Sequence, residues 1–281
     1  MSEANRSNVF VVGAVLLAAA VGAFLYLRQS REPEVVPAAT APIPPPAIAE
    51  APAAPAHPIE DAIVGEAAVG ADAPPLPALH DSDALALEAL LGLLGSDATP
   101  AWLVPEFVIQ RAVATIDNLP RAKLASNVSV VKAVPGALGT EGEGETRVLS
   151  AANQARYAPY VASFESADTE ALVANYVRLY PLFQQAYREL GAGDAYFNDR
   201  LVEVIDHLLA APEVAPPIEL VRPKVYWQFR DPSLESMSAG PKLMVRLGPD
   251  QSARVKAKLR ELRGALAGAS PQDSPASPPP Q

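Results

Sequence analysis

The sequence predicts a mainly α-helical globular domain with a small β-hairpin, preceded by one transmembrane helix and a Pro/Ala-rich linker. Three observations carry that expectation. The run "VFVVGAVLLAAAVGAFLYL", Val9–Leu27, holds no charge over about 19 residues, enough at about 1.5 Å per residue to cross a hydrocarbon core of about 30 Å. The prolines, 30 in 281 residues, cluster instead of spreading evenly. From residue 79 to 268 apolar residues recur at helical spacing, with cap and stop residues between the runs.

In chain order, residues 1–8 form a short N-terminal segment before the anchor at 9–27. A cleaved signal peptide is the alternative, but the apolar run exceeds a usual signal core and "FLYLR" follows any small-residue cleavage point. Arg6 and the α-amine precede the span, whereas Arg28 and Arg31 follow it. Counted alone, that one-charge margin leans toward a cytoplasmic C-terminal part. Residues 28–78 have the Pro/Ala composition of a disordered linker, as in "ATAPIPPPAIAEAPAAPAHP", and favour extended polyproline II. Such a spacer could reach on the order of 140 Å and suits a periplasm, although a plain tether with no length requirement reads the same way.

The folded domain is expected over 79–268 and a disordered tail over 269–281. "DSDALALEALLGLLG" opens on Asp81 and Ser82 and ends at Gly95. Pro105 fits the first helical position of "PEFVIQRAVATIDN". "NVSVVKAV" (127–134) and "TRVLS" (146–150) are expected to pair as a hairpin around the acidic "PGALGTEGEGE". A helix from Ala151 is disturbed at Pro159, and the next runs from a Thr169 cap to a Gly191 stop. On the latter, Leu172, Tyr176, Leu179, Phe183, Ala186, Tyr187 and Leu190 share one face, with Tyr180 at its border and Pro181 opposite.

"AYFNDRLVEVIDHLLAAP", 195–212, gathers acids, an arginine and a histidine, and Asp194 can cap it. Phe197, Leu201, Val204, Ile205 and Leu208 fall on one side; Asp199, Arg200, Glu203, Asp206 and His207 fall on the other. That is the pattern of a solvated or structural helix face. Its functional alternative is a metal or catalytic group of Glu203, Asp206 and His207. The histidines are His57, His80 and His207, too dispersed for a multi-histidine centre, and cysteine is absent. No phosphate loop, dinucleotide motif or nucleophile elbow is present, so neither a cofactor nor a catalytic residue is predicted. The net charge of −10 argues against nucleic acid as a partner.

Toward the C-terminus "IELVRPKVYWQF" is expected to be extended, and Asp231–Pro232 starts a helix. Gly248–Pro249 separates that helix from a last one with Val255, Leu259, Leu262 and Leu266 as its apolar stripe. Arg254, Lys256, Lys258, Arg260 and Arg263 surround the stripe and could meet anionic lipid, an acidic partner or the domain's own acids. Tyr226, Trp227 and Phe229, rimmed by Arg222 and Lys224, are either core beneath the last helices or a contact surface.

The segments "HDSDALALEALLGLLG", "VATIDNLPR", "YPLFQQAYRELG", "YFNDRLVEVIDHLL", "LVRPKV", "SAGPKLMVRLGP" and "VKAKLRELR" resemble the domain of unknown function 3014 family. The resemblance implies a Gram-negative bacterial protein with an N-terminal membrane anchor and a Pro-rich linker. It favours a periplasmic domain over the one-charge vote. It implies no activity and carries over no site residue. The expectation is therefore a single-pass inner-membrane protein held by Val9–Leu27, with a periplasmic domain that works as an interaction or scaffold module for an envelope protein partner. Two rivals stand beside it. One is a metal-dependent envelope hydrolase using Glu203, Asp206 and His207; the other is a small-ligand binder with Tyr176, Tyr180 and Tyr187 lining a pocket.

Overall fold

The computed structural model describes residues 54–62, 74–94, 101–124 and 128–267. The expected anchor at Val9–Leu27, the short segment before it and the tail lie outside them. Among the described residues no helix is long and apolar enough to cross a membrane.

The described chain is mainly helical with a small antiparallel sheet. Its helices are α1 (Asp83–Leu94), α2 (Val108–Asn118), α3 (Ala151–Ser166), α4 (Thr169–Tyr187), α5 (Phe197–Leu209), α6 (Pro232–Glu235), α7 (Ala239–Leu247) and α8 (Pro249–Ala267). The strands are β1 (Thr140–Glu141), β2 (Thr146–Leu149), β3 (Glu219–Val221) and β4 (Gln228–Phe229), in the order β1-β2-β3-β4. Helix α8 runs through the middle and packs against α3, α4, α5 and α7. Its stripe of Val255, Leu259, Leu262 and Leu266 is buried, as the periodicity predicts. The large core lies among the helices; a smaller one of Ile218, Leu220, Phe229 and Val245 lies under the sheet.

Several helix starts differ from expectation, each for a local reason. Helix α2 begins at Val108 and not at Pro105, because Asp83 of α1 accepts the amides of Phe107 and Val108, both at 2.7 Å. That reach holds Phe107 at a left-handed φ of 54°. Asp168, and not Thr169, caps α4 by accepting from Ala171 N at 2.7 Å. Helix α5 starts after Tyr196 and takes no cap from Asp194; Gln184 Oε1 accepts the Phe197 amide at 2.8 Å instead. Asp231 does cap α6, with Pro232 at the first helical position. Leu190 is 45% exposed because α4 ends at Tyr187 in a widened turn. Between α7 and α8 the chain turns on Gly248, φ 82°, where a Cβ would lie 2.4 Å from the Gln154 side chain.

The expected hairpin is corrected more substantially. Residue Thr146 onward does form a strand, but β2 pairs with Thr140–Glu141, so the turn is only "GEGE". Val130 and Val131 are buried, and Val131 bridges to Leu103 outside the sheet's strands. "IELVRPKVYWQF" is itself a hairpin: Leu220 faces Phe229 and Val221 faces Gln228. Strand β2 joins the two hairpins, with Thr146 opposite Val221.

The Pro/Ala-rich segment expected as a linker over 28–78 is engaged with the domain at 54–62. Ala56 N and His57 N donate to the two oxygens of Asp199 at 3.0 and 2.7 Å, and Asn198 Nδ2 donates back to His57 O at 2.8 Å. Ala62 is buried and Ile59 packs against the large core. This stretch is a strap over the start of α5.

Candidate functional site

Three places were candidates: the polar face of α5, the end of the sheet and the tyrosines of α4. On α5 each polar side chain is committed to a different neighbour. Arg200 Nε donates to Asp117 Oδ1 of α2 at 2.9 Å, and its Nη1 donates to Glu203 at 2.8 Å. Asp117, buried, also receives Arg121 at 2.6 Å. Asp206 is held by Arg263 of α8, whose Nη2 lies 3.0 Å away. His207 Nε2 lies 2.6 Å from Ser238 Oγ at the start of α7. Burial holds the His207 pKa below its ordinary value, helped by Arg200 and opposed by Glu203. Glu203, Asp206 and His207 therefore point to separate partners. Among the described residues no group of three or more His, Asp or Glu converges to hold a metal ion. The face ties α5 to α2, α7, α8 and the strap.

The basic residues of α8 are likewise spent inside the domain. Arg254 pairs with Glu165, Lys256 Nζ donates to Ala211 O at 2.6 Å, and Lys258 Nζ donates to Thr169 Oγ1 at 2.6 Å. Only Arg260 of the set is fully at the surface.

At the sheet the aromatic trio divides. Phe229 is 2% exposed and fills the small core, with the buried Arg246 guanidinium 5.2 Å from its ring centre. Tyr226 and Trp227 are half-buried, and Val225 beside them is 62% exposed. Two guanidinium groups lie over the Trp227 ring, Arg147 at 5.4 Å and Arg222 at 5.8 Å from its centre. Arg222 Nε also donates to Val225 O at 2.9 Å, so the turn is braced from within. The β1–β2 and β3–β4 turns lie side by side, since Arg222 N donates to Glu145 O at 3.1 Å. One turn carries Glu143 and Glu145, with Glu141 at the end of β1 beside it; the other carries Arg222 and Lys224, both exposed.

A family model described as "Protein of unknown function (DUF3014)" matches residues 108–263, more than half of the 281. The chain belongs to the DUF3014 family. No curated protein and no solved structure matches it. The DUF3014 span opens at the first residue of α2 and closes in α8, so it contains both hairpins and all of α5. Helix α1 and the strap lie before it.

The third place is a cavity of about 140 Å³ between α1, α2, α4, α5 and α8. Its wall is aliphatic and aromatic, with Asn175 and Tyr176 as the polar members. Of the predicted tyrosines only Tyr176 lines it. Tyr180 instead donates to Gln184 Oε1 at 2.9 Å, and Tyr187 packs at a tilt against Phe197, 5.4 Å between ring centres. Sequence reasoning missed the cavity, the strap and the buried Asp117, because each depends on contacts between distant segments.

Proposed function

We propose that this DUF3014 chain is a single-pass inner-membrane protein whose helical domain stands in the periplasm as a non-enzymatic interaction or scaffold element. The observation that carries the contact surface is the end of the sheet. There Val225 is exposed, Tyr226 and Trp227 are half-buried, and Arg147 and Arg222 hold the indole in place. Tyrosine, tryptophan and arginine are the residues that most often anchor interfaces, and a ring already held costs less ordering on binding. The adjoining acidic and basic turns offer charge for steering an envelope protein with the opposite pattern. Phe229 supports this surface from below.

The test is photo-crosslinking in living cells, with the reactive residue at exposed Val225 and a control at exposed Ala253 on α8. Discrete bands from Val225 that vanish in Trp227→Ala support the proposal, and the compartment of the captured protein gives the orientation. Absence of any band specific to Val225 at native expression overturns it.

A further inference from the structure

We infer that the cavity beneath α1 is a binding site for a small neutral apolar molecule with the bulk of a single benzene ring. It stands apart from the partner surface, in the large core and not under the sheet.

The volume comes first. At about 140 Å³ the half-open space is close in volume to the enclosed, engineered apolar cavity of about 150 Å³ that takes up benzene. The wall decides the chemistry. No charged side chain lines it, and its polar members are already engaged: Asn175 Nδ2 donates to Ala171 O at 2.9 Å, and Tyr176 donates to Asn198 Oδ1 at 3.3 Å. Water or a polar ligand would therefore lose hydrogen bonds on entry that an apolar one does not have. The route comes last. The wall residues of α2, α5 and α8 are fully buried, whereas the half-buried ones, such as Ala89, Leu93, Leu172 and Phe183, all belong to α1 or α4. The open side is the seam between those two helices. Helix α1 suits such a cover. It buries Ala86 and Leu90, keeps Leu85, Leu87, Leu91 and Leu93 half-buried along the seam and turns Ala84, Glu88 and Gly92 outward, so a small shift against α4 moves apolar side chains and leaves Glu88 in water.

The experiment uses the full chain with methyl-labelled leucine, isoleucine and valine, equilibrated with benzene vapour so that the benzene activity is fixed whatever surrounds the anchor. The expected result is saturable shifts at Leu172, Val173, Leu262 and Leu266, with none at Ile218 and Leu220 of the small core. Phenol at equal activity is expected to bind at least tenfold more weakly. Ala112→Leu and Ala86→Leu, each filling the wall from a buried position, are expected to weaken benzene binding at least tenfold while keeping a dispersed spectrum. Shifts of equal size in both cores, no saturable shift, phenol binding as tightly as benzene, or undiminished binding in a folded filling variant would each overturn the inference. Should both variants lose their dispersed spectrum, the wild-type shift pattern and the phenol contrast decide it alone.

Discussion

Phe197 and Trp227 are both large rings in one domain, and they are held in different ways. Phe197 is fully buried at the start of α5, stacked on Phe183 at 5.7 Å with Tyr176 and Tyr187 around it. Trp227 is half-buried beneath two arginines at the sheet's end. The first ring is held by removal of apolar surface from water, a term that grows with buried area. The second only rests on the edge of the small core, and charge against its π face adds about 0.5–1 kcal/mol where water still reaches it. A domain that kept both rings only for stability would gain more by burying the second. The sheet end keeps a half-buried indole with two guanidinium groups over its ring, while the buried Arg246, whose pKa burial lowers, lies against Phe229 in the small core.

The sharpest test of that contrast is the pair Phe197→Ala and Trp227→Ala in urea unfolding. Phe197→Ala is expected to lose about 3–5 kcal/mol, the range for deleting a buried ring. Trp227→Ala is expected to lose about 1 kcal/mol while abolishing the Val225 crosslinks. Equal losses from the two would break the comparison, since Trp227 would then be core like Phe197.

The same contrast decides what was legible in the sequence. The helical part was readable because a 3.6-residue period survives over a dozen residues; the buried faces of α5 and α8 follow it closely, whereas α4 buries Val173, Leu182 and Gln184 beside the expected Leu179, Ala186 and Tyr187 and leaves Leu172, Tyr176 and Phe183 half-buried. Helix starts were less readable, because Asp83 caps α2 from another helix and Gln184 serves α5 from α4. The sheet was mostly unreadable. Its strands run two to four residues, too short for alternation to speak, and β2 finds β3 across three helices. Hence 127–134 looked like a strand while Thr140–Glu141 supplied the real partner. The polar face of α5 was correctly separated from its apolar one, but spacing along one helix cannot show that its residues reach four other elements. The strap had no period to read, since backbone amides to Asp199 hold its start.

A middle-sized effect is expected at that strap. Asp199→Ala removes the acceptor of the Ala56 and His57 amides while leaving the α5 apolar side intact. Amide exchange at those two positions should quicken at least tenfold, with global stability changed by less than about 1 kcal/mol, because the bonds are part-exposed. If stability instead falls as far as in Phe197→Ala, the strap is part of the core and the helical region extends upstream of α1. If exchange is unchanged, Asn198 and the packing of Ile59 and Ala62 hold the strap without Asp199.

The smallest effect is the pH dependence carried by His207. Its pKa in the folded domain lies below the unfolded value of about 6.5, chiefly through burial and then through Arg200. Between the two values the unfolded chain binds more protons, so stability rises with pH there. The contribution is complete above about pH 6.5 and is lost as pH falls from there through the lowered folded value. His207→Gln should flatten the stability profile over that window while leaving the decline below about pH 4.5 in place. That lower decline belongs to Glu165 and Glu261, whose folded pKa values are held down by Arg254 and by Lys258 with Thr169. They contribute above the unfolded carboxylate value and lose that contribution as pH falls through the folded one. A profile of the wild type that rises as pH drops below 6.5 would mean that His207 is stabilised in its protonated form. Glu203 would then outweigh burial and Arg200 at the ring, and the α5 face would hold a charged pair beside the contact of His207 with Ser238.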